Sequence, residues 1–133
     1  MFMLTMGTGM DQGFPDVCLT PATVPVPTPY PNIAMSSNTA PVVDTILINC
    51  MPVINQLSKG FVSNGDEAGT LGGVASHMID GMTLYQKGCS AIYVGGAPAQ
   101  RLTSVTAQNA IGTTSNAPGM CLAPSQTTVL ASA

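Results

Sequence analysis

The chain has 133 residues, 45% of them hydrophobic and only 7% charged, with a formal net charge of −3. Lys59, Lys87 and Arg101 are its only basic side chains, too few to neutralise a run of phosphates, which argues against nucleic acid or an anionic lipid surface as a partner. The length suits one domain, residues 1–133, with one core, and so few ionic groups on so apolar a chain imply a face that is covered in an assembly.

In chain order, the first segment, Met1 to Met10, has no positively charged region and no sustained apolar stretch. The longest apolar run, Pro41 to Ile54, is interrupted by Asp44 and Asn49. Neither a signal peptide nor a membrane span is expected. Phe2, Met3 and Leu4 are apolar at a chain end that has little other reason to be, which marks them as candidate contact residues. Gly7-Thr8-Gly9 is a fragment of a dinucleotide fingerprint without its third glycine or following helix, and carries nothing.

From Pro25 to Pro31 prolines stand at alternate positions. Each fixes φ near −65° and removes an amide donor, so the segment is expected as an extended strap on an outer surface, leading into a turn at Asn32-Ile33-Ala34. Fourteen glycines and eleven prolines leave only Val74 to Lys87 long enough and clean enough for a helix. Val42 to Ile48, Ala91 to Val94 and Thr127 to Leu130 are short, β-branched or aromatic, and flanked by turn residues, so each is expected as a strand. The fold class that follows is all-β: a single small domain of short strands and hairpins with little helix.

The chain also repeats itself. Thr45 to Leu57 (TILINCMPVINQL) aligns with Ala91 to Leu102 (AIYVGGAPAQRL), Pro52 matching Pro98, and both read as a hairpin turning at Asn49-Cys50-Met51 or Gly95-Gly96-Ala97. A second echo links Val17-Cys18-Leu19-Thr20-Pro21 with Met120-Cys121-Leu122-Ala123-Pro124. Repeated β units in one chain permit a pseudo-symmetric body, which is what one monomer needs to cap a symmetric oligomer.

Little in the chain can do chemistry. Cys18, Cys50, Cys89 and Cys121 lie 32 to 39 residues apart, which matches no zinc-finger spacing, and in a cytosolic protein they stay reduced. Ser76, His77 and Asp80 could be parts of a nucleophile and base, but neighbouring side chains do not face each other. No Gly-x-Ser-x-Gly elbow, phosphate loop or His-Glu-x-x-His motif occurs. The expectation is that the protein is not an enzyme.

Several segments, taken together, resemble PAAR proteins. Ala97 to Leu102 after a Gly-Gly turn resembles the Pro-Ala-Ala-Arg signature, and Pro27 to Asn32 (PTPYPN) resembles the Pro-Ile-Pro-Tyr segment of the PAAR-like branch. Gly13 to Cys18, Leu57 to Gly60 with Ser63 to Asp66, Gly73 to Ser76, Thr103 to Asn109 and Ala123 to Gln126 fall in the same order as in that family. The resemblance implies a β-rich cone seated on the blunt end of a trimeric VgrG-type spike of a type VI secretion system, sharpening it for membrane puncture and carrying or recruiting a toxin effector or adaptor. It implies residence in the bacterial cytoplasm before firing and export by the apparatus, with no stable insertion in a membrane.

PAAR proteins typically hold a metal near the point through His and Cys ligands, so the resemblance also implies zinc. The candidate ligands are His77, Cys18, Cys50 and Cys121, with Cys18 and Cys121 brought together by their repeat relation. Where relatives often show His before Asn, this chain has Gln108. The alternative is that the cysteines pack as small hydrophobes and His77 makes an ordinary hydrogen bond. Two other functional readings stand beside the tip: a small metal- or thiol-dependent toxin or enzyme working through His77 or Cys89, and a secreted disulfide-linked binding module.

Overall fold

The computed structural model describes residues 1–131, which contain strands, turns and one short 3-10 turn at Ser36–Asn38, and no α-helix. The strands are β1 (Met10–Thr20), β2 (Val26–Met35), β3 (Thr39–Ala40), β4 (Val43–Ile48), β5 (Met51–Val53), β6 (Lys59–Gly60), β7 (Ser63–Asn64), β8 (Met82–Lys87), β9 (Tyr93–Val94), β10 (Ala97–Pro98), β11 (Val105–Ala110) and β12 (Ala117–Ala123). Eight of them form one sheet in the order β3-β6-β8-β11-β12-β1-β2-β7, curled into a half-barrel. The all-β expectation holds. The stretch with room for a helix, 74–87, splits instead into a loop and β8. There Thr83 and Tyr85 are buried while Met82 and Leu84 are partly covered, the period of two that a half-buried strand needs.

The proline strap is the outer part of β2. Val17 pairs with Pro29 and Leu19 with Pro27, whereas the strand on the other side, β7, reaches only Ile33 and Ala34. Pro27, Pro29 and Pro31 share one parity, so the side of β2 that lacks amide donors is the side where no strand asks for them. The expected turn at Asn32-Ile33-Ala34 is corrected. The strand runs on to Met35, with Asn32 and Ala34 facing inward and buried, and the chain turns at Ser36–Asn38.

Both repeated segments are hairpins. Ile48 pairs with Met51 and Val94 with Ala97, so each turn has two residues, Asn49-Cys50 and Gly95-Gly96. All four have positive φ (52°, 64°, 60° and 83°), the condition for a tight turn whose twist matches the flanking strands. The strand expected at Ala91 to Val94 is reduced to Tyr93–Val94. That expected at Thr127 to Leu130 is reduced to one bridge, Leu130 with Phe2.

The two hairpins meet the chain ends in a closed ring. The Leu4 amide donates to the Gln100 carbonyl (2.8 Å), the Gln100 amide to the Ile54 carbonyl (3.2 Å), and the Ile54 amide to the Leu4 carbonyl (3.1 Å). One step outward, the amides of Met6, Gln56 and Leu102 donate to the carbonyls of Pro52, Pro98 and Phe2 at 2.9, 2.9 and 2.8 Å. The bridges Thr5–Val53, Asn55–Ala99 and Met3–Arg101 follow the same rule. Every bond maps onto the next when residue 4 is replaced by 54, 54 by 100 and 100 by 4. Segments 2–6, 52–56 and 98–102 are therefore three copies of one unit about a local threefold axis.

Each copy leans on an outer partner. Val53 pairs with Val43 across the first hairpin, and the Ala99 amide donates to Ile92 across the second. In the third copy the partner is the far end of the chain, where the Met3 amide donates to the Val129 carbonyl at 3.0 Å. The equivalent residues Met3, Val53 and Ala99 share one buried cluster with Val43, Ile48, Cys89, Val94 and Ala131. Their neighbours Leu4 and Ile54 belong to a second cluster with Tyr85 and Cys121. The ring of three thus separates a base layer from the core of the half-barrel.

Candidate functional site

Two places in the molecule are candidates for a functional site: the base built on the ring of three, and the loops at the opposite end of the long strands.

The base is apolar and exposed on all three copies. The first hairpin presents Ile46, Leu47 and Met51, the second Tyr93, and the paired chain ends Met1, Val129 and Leu130. Tyr93 and Leu130 are each 63% exposed and Leu47 57%. Exposed apolar side chains are unremarkable singly; these seven, of 21 large hydrophobics exposed among the described residues, are distributed over all three symmetry-related units. Cys50, a candidate metal ligand, lies here, exposed in the β4–β5 turn.

At the other end, one carboxylate gathers the chain. Asp16, fully buried on β1, accepts a hydrogen bond at Oδ2 from Asn32 Nδ2 (2.7 Å), and at Oδ1 from Asn109 Nδ2 (3.3 Å) and Asn116 Nδ2. The Cys18 thiol lies 3.5 Å from the same Oδ1. The two asparagines cannot turn over without loss. Asn109 accepts from the Gly81 amide and donates to the Met78 carbonyl, while Asn116 accepts from the Ala75 amide and donates to the Val17 carbonyl. Backbone groups thus aim both amide nitrogens at Asp16. The loop from Asp66 to Asp80 closes over this point: Gly69 lies so near that a Cβ there would meet Cys18 Cβ at 2.3 Å, and the Asp80 amide donates to Asp66 Oδ1.

Asp16, Cys18 and Asp66 form a buried group whose ligand atoms lie within 4.8 Å of one another and which could hold a metal ion; Asp66, Glu67 and Asp80 form an adjoining one. Burial, reinforced by Asp16 and Asp66, pushes the Cys18 thiol up to about 12, and burial together with Asp16 raises Asp66 to about 7. Both groups therefore bind a proton more tightly than usual, and a cation would compete with it. Asp16 is engaged by three amides, but Oδ2 accepts only one of them, so a lone pair of Asp16 stays open to a cation beside those of Cys18 and Asp66. Asp80 Oδ1, buried and without a partner, adds an acceptor beside them.

The four residues singled out in the sequence do not form one cluster. Cys18 belongs to the group just described. Cys121 sits on β12 opposite Asp11 on β1, in a separate buried set where the Tyr85 hydroxyl donates to Asp11 Oδ2 at 2.8 Å. His77 is exposed with φ +58°. The repeat relation between Cys18 and Cys121 places them on neighbouring strands without bringing their thiols together, because β1 pairs with β12 only from Met10 to Gly13. Gln108, where relatives show His, is a core amide. With its carboxamide turned to suit its neighbours, it donates to the Asn32 carbonyl at 3.0 Å and accepts from the Gln12 and Gly13 amides at 3.3 Å. Asp16, Asp66, Asn32, Asn109 and Asn116 were not singled out. The signal for the first two was Asp16-Val17-Cys18 and Gly65-Asp66, both inside segments already noted for their resemblance.

Among the described residues no nucleophile is paired with a base. Ser76 Oγ is buried without a partner while His77 faces solvent, and the thiols of Cys18, Cys89 and Cys121 are all raised by burial, the opposite of what a reactive thiolate needs.

No curated protein and no solved structure was found to match the chain. A protein-family model does match, that of the toxin PAAR-like domain, over residues 9–119, a span that takes in the whole polar point, both hairpins and most of the sheet. The chain therefore belongs to the toxin PAAR-like domain family.

Proposed function

We propose that this protein is the tip of a type VI secretion spike, seated by its apolar base on the blunt end of a VgrG-type trimer. The observation that carries the reading is the ring through Leu4, Ile54 and Gln100. A single chain that presents three related edges about one axis can offer similar contacts to each of three identical subunits, which a body without that symmetry cannot. Apolar side chains on each copy would supply the burial, and the hairpin edges backbone hydrogen bonds.

The work is mechanical and asks for no catalysis. The protein would be made in the bacterial cytoplasm and leave with the spike, and an effector or adaptor would ride on the flank or at the loops of the point. Zinc enters this reading at one place: Asp16, Cys18 and Asp66 would hold it, and a cation there would neutralise buried carboxylates that no lysine or arginine accompanies.

The test is the mass of the complex formed when the purified chain is mixed with a candidate spike trimer. One copy per trimer is the expected result. Three copies, or no complex with any spike of the same genome, would reject the reading.

A further inference from the structure

The cleft between the end of β8 and the start of β11 has a volume of about 190 Å³ and is lined by Lys87, Gly88, Arg101, Thr103, Ser104 and Val105. It holds two of the three basic side chains in the protein, and two like charges in one small space repel unless an anion joins them. The acidic residues are elsewhere. Asp16, Asp66, Glu67 and Asp80 are at the point, Asp11 is buried against Tyr85, and Asp44 lies on β4, which does not line the cleft.

The walls supply hydrogen-bond donors. Ser104 Oγ accepts from the Arg101 amide at 2.9 Å, which leaves its own proton free to donate. Thr103 is β-branched yet sits at φ +69°, held by its amide on the Cys121 carbonyl (2.8 Å) and by the following amide, that of Ser104, on the Arg101 carbonyl (2.9 Å). A branched residue in that region is strained, and such strain gathers where a site is being shaped.

The pseudo-symmetry says what is special about this place. The equivalents of Arg101 in the other two copies are Thr5 and Asn55, and all three amides donate to a serine hydroxyl: Thr5 to Ser125 (2.7 Å), Asn55 to Ser58 (3.2 Å) and Arg101 to Ser104 (2.9 Å). The backbone frame is threefold, but the charge stands on one copy only.

We propose that this cleft binds a single carboxylate, an acidic side chain or chain terminus of the protein on which the base docks. Two cations and a hydroxyl in so small a volume match one carboxylate. A threefold partner presents three identical carboxylates. Engaging any one of them fixes the rotation of the tip about the axis, which the neutral contacts of the other copies leave loose. The identity of the donor rests on the docking reading above; the carboxylate site itself does not.

The isolated chain is titrated with N-acetylglycine, and separately with inorganic phosphate, at low salt, while backbone amide resonances are followed by NMR. Saturable shifts confined to residues 87–88 and 101–105 are expected with the carboxylate at concentrations up to tens of millimolar, roughly the range for one ion-paired group. Affinity should fall at least about tenfold in Lys87→Gln and in Arg101→Gln, recover in part in Arg101→Lys, and stay unchanged in Lys59→Gln, which removes the one basic side chain outside the cleft. Shifts that are diffuse or identical in the variants would overturn the site, and tighter binding of phosphate would overturn its assignment to carboxylate. The same variants are then mixed with the spike trimer. A weaker complex supports the partner assignment, whereas unchanged docking of variants that have lost N-acetylglycine binding would overturn that assignment alone. A wild-type chain that binds N-acetylglycine but never docks would reject the docking reading and leave the site standing.

Discussion

The base and the point of this molecule are held together by different chemistry. At the base, three copies of one unit are joined by main-chain hydrogen bonds, which specify geometry without specifying side chains. The copies can therefore differ freely, Leu4, Ile54 and Gln100 being equivalent. At the point nothing repeats. Side chains from β1, β2, β11 and the turn before β12 converge on one buried carboxylate, and each of those residues is needed as it stands. A symmetric partner rewards the first design; an end that lies outside both hydrophobic clusters needs the second.

The contrast is broken most severely at the point. Asp16→Ala would leave the amides of Asn32, Asn109 and Asn116 without their acceptor, and a loss of about 4 kcal/mol is expected in denaturant unfolding. Ile54→Ala, at the ring, removes buried aliphatic volume but no hydrogen bond, and about 3 kcal/mol is expected. If Ile54→Ala proved the costlier of the two, the ranking of point over base would be reversed.

A smaller change should improve the protein. Gln100 is fully buried, and neither Oε1 nor Nε2 has a partner, whereas its two equivalents are Leu and Ile. Gln100→Leu is expected to stabilise by about 1 kcal/mol in the same assay, by removing two unsatisfied polar atoms. Destabilisation would mean that the amide has a role that the ring does not explain.

The smallest expected effect is a dependence on pH. Burial raises Asp11 above its ordinary 3.8, against the lowering effect of the Tyr85 hydrogen bond, so the folded state holds that proton more tightly than the unfolded one. Its contribution to stability is complete below about pH 4 and is lost as pH rises through the raised value. Asp66, at about 7, acts in the same direction. Melting temperature should therefore fall from pH 4 toward pH 7, and Asp11→Asn, which can still accept from Tyr85, should flatten part of that slope. A slope unchanged in Asp11→Asn would show that Asp11 does not carry it.

The sequence revealed two of the three copies because each is a continuous hairpin with its turn residues in place, Asn49-Cys50 and Gly95-Gly96. The third escaped because it is split: Phe2 to Met6 lies at one end of the chain and Val129 with Leu130 at the other, and no sequence window contains both. Phe2, Met3 and Leu4 were legible only as apolar residues in an odd place. The polar point was harder still. Asp16, Asn32, Asn109 and Asn116 are residue types that turns use anywhere, and nothing short of the folded sheet places their side chains on one another. Cysteine and histidine drew attention because metals favour them, yet only Cys18 among them joined the group that matters.

The central claim is that three related edges at the base meet a threefold partner. Hydrogen–deuterium exchange of the chain, alone and bound to a spike trimer, tests it most directly. The account predicts new protection at 1–3, 45–52, 92–98 and 128–131 together, with 65–81 and 109–116 unchanged. Protection confined to one hairpin, or appearing at the loops of the point, would contradict it.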